Sequence, residues 1–411
     1  VSDARESRRA IDLEALDLDR GAALLLRAAL LPLAPGEALR VHGSAPALAH
    51  HLRAWARAEG HGFAELAPRA GEEQNAATPA VAVLTRGTAL DARWAGAERA
   101  GGAAPSRTVA EAPARWGLAA RGAAVEAGSP EISFALNRRD ELWTDDAPEL
   151  YRQAAAAQWD PERAIPWHAP RTHPALVEDA LVQVLTYLIE NETAALLVPV
   201  RFCAQIHPQF REIQQLLAIQ AADEARHIEV FSRRARLART ELGLSTSGGQ
   251  ASLKTLLDEP DFALASFLLS VLGEGSFVHL LGFLHVHAPD EATRVLMHLV
   301  AQDEVRHVAF GMSHLERHAR HDPTLLARLR LAIERRHEAL RHTAGLNAEV
   351  FDALVILAAG ELTPVAIERG YAAVSGLVDQ MDAGRRARLR RLGFEERDAA
   401  ALSGLHTRNF M

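Results

Sequence analysis

The chain has 411 residues, 48% hydrophobic and 24% charged, with a formal net charge of −8, a length that allows two or three domains with a sizeable core. The acidic balance argues against nucleic acid as a general partner, because phosphate binding needs a basic face. A single cysteine, Cys203, excludes an intramolecular disulfide, a cysteine-rich zinc site and an iron–sulfur cluster, and fits a reducing cytoplasm.

Residues 1–90 are predicted to form a small α+β domain. A strand over 10–16 precedes a helix over 21–33, a Pro35-Gly36 turn and a strand over 38–42. A second helix, 46–59, places Leu48, Leu52 and Trp55 on one face and closes at Gly60. A loop rich in Glu, Asn and Ala and a strand over 80–85 complete the unit. Residues 91–145, rich in Ala, Gly and Pro, read as a linker with hairpin-like runs at 116–125 and 131–136. From Pro148 onward the pattern is helical, broken at 166–174, at His207-Pro208, at 245–249, at Pro289 and near Gly345. We therefore expect a mainly α chain: a helical bundle over 146–345, with further helices over 346–411 packed on it. The longest apolar stretch, 262–273, is too short to span a bilayer and runs into Glu274. The polar first residues suggest no signal peptide, so a cytoplasmic protein without membrane contact is expected.

Two pentapeptides carry the chemistry: Asp223-Glu224-Ala225-Arg226-His227 and Asp303-Glu304-Val305-Arg306-His307. A bare Glu-x-x-His arises by chance roughly once in such a chain, whereas Asp-Glu-x-Arg-His is expected at only ~0.01 per chain. Its double occurrence is a strong signal. On a helix, positions i and i+3 share a face, so each Glu converges with its His. Both pairs sit on stripes that are otherwise largely apolar: Leu217, Gln220 and Phe231 beside the first, Met297, Val300 and Gly311 beside the second. Buried carboxylates there need a cation or a proton.

Each pair is preceded by a helix with its own inward glutamate. Glu274 shares a stripe with Phe267, Val271 and Leu281; Glu192 shares one with Leu181, Leu185 and Leu188. Glu190 is the rival in that first helix, but it lies off the stripe. The halves also align as an internal repeat, with Glu192, Pro208 and the first pentapeptide matching Glu274, Pro289 and the second. The resulting set is Glu192, Glu224, His227, Glu274, Glu304 and His307: four carboxylates and two imidazoles from four helices, the set described for di-iron bundles. Oxygen-rich coordination with one imidazole per metal suits two iron ions, with manganese as the other candidate, better than structural zinc. Asp223 and Asp303 are expected to accept the histidines' other N–H groups, and Arg226 and Arg306 to neutralise those aspartates.

These motifs resemble the ferritin-like di-iron superfamily, and the Asp-Glu-x-Arg-His form looks most like the hydroxylase subunits of bacterial multicomponent monooxygenases. The resemblance covers roughly residues 145–320. It implies a four-helix bundle that activates O2 to hydroxylate or N-oxygenate a small molecule, with electrons from a separate reductase or ferredoxin. A ferroxidase or iron-handling role without an organic substrate is the alternative; homodimer formation is left open. Phe231 stands where ribonucleotide reductase subunits carry a radical tyrosine, and Val278 where the hydroxylases carry threonine. Some N-oxygenases of this superfamily have an extra histidine ligand, for which His279 is the candidate. Gly273, Gly275 and Gly311 leave two readings open, space for dioxygen or substrate and close helix packing. Pro199 is expected to kink the first helix.

Residues 9–63 resemble the TusA/SirA sulfur carriers through Arg27, Leu30, Leu33, Gly36-Glu37, Val41, Pro46, Trp55 and Gly60-His61. That family's reactive cysteine would fall near Asp19, so a sulfur relay is excluded, and a docking or regulatory module, or a relic packed against the bundle, is expected.

Overall fold

The computed structural model describes residues 9–66, 78–102, 108–341 and 348–406. The chain divides into two compact units, Val1–Ala100 with Gly122–Pro130, and Gly101–Arg121 with Glu131–Met411.

In the first unit, β1 (Ala10–Asp12), β2 (Ala38–His42), β3 (Gly62–Glu65) and β4 (Ala80–Thr85) form a sheet of order β1-β2-β4-β3. β1 runs parallel to β2, and the other pairs are antiparallel. Alternation puts Leu39, Val41, Ala82 and Leu84 on the inner face. That face packs against Leu26 and Leu30 of α1 (Ala22–Leu30) and Leu48 and Leu52 of α2 (Leu48–Ala58). The predicted strands and helices are all present, 38–42 and 80–85 at their expected bounds and the others shortened. β3 was not foreseen, because it carries a single large apolar residue, Phe63. The loop rich in Glu, Asn and Ala lies outside the described residues.

The stretch expected as a linker is shared between the units. After α3 (Ala89–Arg93), β5 (Glu98–Arg99) pairs antiparallel with β6 (Ala124–Val125) in the first unit. Neither expected hairpin forms: 114–116 is a 3-10 turn, and Leu136 bridges to Ile206 within the second unit. Ala, Gly and Pro mark chain reversals without naming the strand across the turn.

The second unit is a helical bundle, as expected. Short helices α4 (Arg139–Leu142), α5 (Ala147–Ala156) and α6 (Pro161–Ala164) lead into α7 (Ala175–Cys203) and α8 (Arg211–Ala235). α7 and α8 pack along their length as a hairpin joined through His207-Pro208. α9 (Ser247–Leu257) starts where a break was expected, because the Thr246 hydroxyl accepts the Gly249 N–H at 3.0 Å and caps it. The second hairpin is α10 (Phe262–Val286) and α11 (Glu291–His321), capped by Asp261 on Leu264 N–H and by Asp290 on Thr293 N–H. Within α10 the segment Phe267–Glu274 widens into a π-helix, a distortion common at functional sites. α12 (Leu325–Leu340), α13 (Ala348–Ala359), α14 (Pro364–Leu392) and α15 (Glu396–His406) follow, with α13 against α7 and α14 against α10. The break expected near Gly345 lies outside the described residues.

By length and composition alone, α7 and α10 could cross a membrane, since α10 runs well past the stretch judged too short. Both carry buried glutamates, and 67% and 78% of their most apolar windows are buried inside the fold. Their apolarity serves a bundle core.

Candidate metal centre

The four long helices each deliver part of one buried cluster: Glu192 from α7, Glu224 and His227 from α8, Glu274 from α10, and Glu304 and His307 from α11. Each is at most 4% exposed. Their ligating atoms fall into two sets, each within 4.8 Å: Glu192, Glu224, His227 and Glu304 in one, Glu224, Glu274, Glu304 and His307 in the other. Glu224 and Glu304 belong to both. Two metals held this way would share those glutamates and keep one terminal glutamate and one histidine each. Glu190 is half-buried and in neither set.

Both imidazoles present Nδ1 to the cluster. His227 Nδ1 lies 3.2 Å from Glu224 Oε2, 3.4 Å from Glu304 Oε1 and 3.5 Å from Glu192 Oε2. His307 Nδ1 lies 3.0 Å from Glu224 Oε1, 3.4 Å from Glu304 Oε2 and 4.0 Å from Glu274 Oε1. The donor set fits two divalent cations. Glu192 Oε1, Glu274 Oε2 and Glu304 Oε2 are buried and find no hydrogen-bond partner among the described residues, and four carboxylates this close hold together only with protons or cations among them. Burial, then the charges of Glu224 and Glu304, pushes the Glu192 carboxyl well up; burial and Glu304 do the same to Glu274. Burial opposes charge on the imidazoles, yet the surrounding carboxylates raise both well above the usual histidine range.

The outer ring is crosswise. His227 Nε2 lies 3.2 Å from Asp303 Oδ2, and His307 Nε2 lies 3.4 Å from Asp223 Oδ2. Each motif's aspartate thus holds the other motif's histidine, which places the imidazole proton on Nε2 and frees Nδ1 for a metal. Arg226 links the two halves, donating to Asp223 Oδ1 at 2.5 Å and to Asp303 Oδ2 at 2.9 Å, whereas Arg306 pairs with Asp303 only. Although burial opposes it, the contact with His227 keeps Asp303 ionised well below the usual carboxylate range.

Three members of this ring were missed from sequence. Gln158 Nε2 donates to Asp223 Oδ1 at 2.7 Å, and Trp159 Nε1 donates to Asp303 Oδ2 at 2.8 Å while its ring stacks on Arg226. Both sit in the turn between α5 and α6, where no periodicity marks them. Gln220, noted only as part of a stripe, donates to Glu274 Oε1 at 3.0 Å.

Other expectations resolve differently. His279 is in neither metal set; it faces α14, where its Nε2 lies 2.5 Å from the point a Cβ on Gly384 would occupy. Gly275 and Gly311 serve packing: a Cβ at Gly275 would sit 2.5 Å from the Arg388 guanidinium, and one at Gly311 would sit 2.5 Å from Ser270 Cβ. α7 continues as helix through Pro199. That proline lines a small void of about 10 Å³ whose wall is mostly apolar but includes Gln220, Ser266 and Ser270, room for about one water-sized molecule.

No protein-family model matches the chain, and no curated protein matches it. Among solved structures, an R2-like ligand-binding oxidase point mutant with an aerobically reconstituted Fe/Fe cofactor aligns at 18% identity and a TM-score of 0.48, covering 61% of this chain and 94% of that one. A second mutant of the same kind, with a Mn/Fe cofactor, aligns at 16% identity and a TM-score of 0.42, covering 62% and 94%. Likeness at this level transfers no activity and no residue role.

Proposed function

We propose that the chain is a non-haem di-metal oxidoreductase, with iron in both positions or manganese in one, that reduces O2 to hydroxylate or N-oxygenate a small organic molecule. The observation carrying this reading is the pair of overlapping buried ligand sets sharing Glu224 and Glu304. Two reduced metals, when bound, supply electrons to O2. The protein's own part is to fix their spacing through the shared glutamates, to keep Nδ1 of both histidines free through the crossed aspartates, and to exclude water. The void beside Gln220, walled by Leu217, Leu269 and Phe310 together with Ser266 and Ser270, has room for a molecule the size of O2. An organic substrate larger than O2 would require the side chains around that void to move. Electrons would come from a separate reductase or ferredoxin in the cytoplasm, and the N-terminal unit would act as a docking module.

Anaerobic loading with ferrous iron should give about two irons per chain, and exposure to O2 should then consume O2 and change the optical spectrum. Protein that takes up no stoichiometric iron, with Glu224→Ala and His307→Ala behaving like the parent, would refute the reading.

A further inference from the structure

A guanidinium taken out of water needs an anionic partner, because an unpaired buried charge costs several kcal/mol. Arg234 obeys this rule: it is fully buried and ion-paired with both Glu178, at 2.7 Å, and Asp290. Arg385 and Arg388 of α14 do not. Arg385 is 1% exposed; its Nε and Nη1 donate to the hydroxyls of Ser403 and Ser276 at 3.2 and 3.3 Å, and its buried Nη2 has no acceptor. Arg388 is half-buried; it gives Nε to the Val271 carbonyl at 2.7 Å, and its Nη2, which is itself buried, also has no acceptor among the described residues. Every acceptor these two find is neutral. Asp382 acts on Arg385 only from a distance, since its carboxylate accepts the Ser403 hydroxyl at 2.6 Å and lies 3.7 Å from Arg386.

Two glycines bring Arg388 against His279 and against α10, with Arg385 one turn away on α14. At Gly384 the place of a Cβ lies 2.5 Å from His279 Nε2 and 3.2 Å from Arg388 Nη1, so imidazole and guanidinium converge there. At Gly275 the missing side chain admits the Arg388 guanidinium against α10. Burial lowers both guanidiniums to about 10, with Arg385 adding to the effect on Arg388. Burial and the same two arginines lower His279. These groups repel one another, and their counter-charge is not among the described side chains that touch them.

We propose that Arg385, Arg388 and His279 form an oxyanion-binding site for a phosphate or carboxylate group, independent of the metal chemistry. Guanidinium groups suit such ligands because their planar donor forks match two oxygens at once. The site lies against the π-helical turn that carries Glu274, since the Val271 carbonyl it uses is three residues before that glutamate.

Calorimetric titration of the full metal-loaded chain with inorganic phosphate, and separately with acetate, at fixed ionic strength and pH 7 should give one saturable site at millimolar concentrations or below. The anion that binds tells a phosphate-bearing ligand from a carboxylate one. The same site should persist after the metals are chelated, which separates it from anion binding at the metal centre. Arg388→Gln should weaken binding at least tenfold, with Arg388→Lys intermediate and circular dichroism unchanged. Failure of both anions to bind the parent would overturn the proposal without touching the metal reading. So would binding lost on chelation, or equal binding by Arg388→Gln and Arg385→Met.

Discussion

Acid should destabilise the helical unit through one histidine that touches no metal set. His314 of α11 is fully buried, and neither ring nitrogen has a hydrogen-bond partner among the described residues. Its ring packs 5.0 Å from that of Phe262 and 6.0 Å from that of Phe310. Burial, with the nearby His318, lowers it from 6.5 to about 3. The folded value is depressed, so below pH 6.5 the unfolded chain takes up a proton that the native protein refuses, and stability is lost as pH falls towards about 3. At ~1.36 kcal/mol per unit the loss is ~2 kcal/mol at pH 5 and approaches ~5 kcal/mol at the low end. His314→Phe keeps a ring of similar size and removes the titrating group. Urea unfolding of parent and variant, followed by circular dichroism from pH 7.5 to pH 5, should show the parent losing ~2 kcal/mol more than the variant. Parallel pH profiles would refute the reasoning, because carboxylates elsewhere titrate equally in both proteins.

Asp303→Asn removes the carboxylate facing His227 and should lower metal affinity 10–100-fold in chelator competition; Asp223→Asn should act likewise through His307, and parent-like affinity in both would argue against the crossed arrangement. Gly311→Ala drives a methyl to 2.5 Å from the Ser270 Cβ, a contact that only helix movement relieves, and should cost ~1–3 kcal/mol in thermal unfolding. Gly275→Ala meets only the movable end of Arg388 and should cost less. Arg234→Met leaves Glu178 with only His173 and Asp290 with only Thr293 among the described residues, and should cost ~3–5 kcal/mol at neutral pH. In the parent, Arg234 lowers both carboxylates although burial opposes it, so the stability these pairs contribute is full above about pH 4 and is lost as acid protonates the carboxylates.

Sequence made the clustered glutamates and histidines legible because helical spacing is a fixed geometry. Glu224 with His227, and Glu304 with His307, had to share a face whatever surrounded them, and the repeat pointed to Glu192 over Glu190. The α7–α8 and α10–α11 hairpins followed from long apolar periodicities broken by Pro208 and Pro289. What escaped depends on contacts between distant segments. Gln158 and Trp159 sit in a turn 65 and 144 residues from the aspartates they hold. The role of Gly275 rests on Arg388, 113 residues further on. The strand pairing of 98–99 with 124–125 needed a partner that composition could not name. The π-helical stretch before Glu274 was also invisible, since its residues are those of an ordinary buried helix.

The exchange of aspartates between the two motifs makes each hairpin an unfinished module. Neither α7–α8 nor α10–α11 can orient its own histidine, because the carboxylate that does so belongs to the other. The dependence is mutual and has the logic of a dyad: two copies of one hairpin facing each other would satisfy one another in the same way. Splitting the chain between the hairpins should therefore leave two fragments that each fail to order a site alone and regain it only on reassociation.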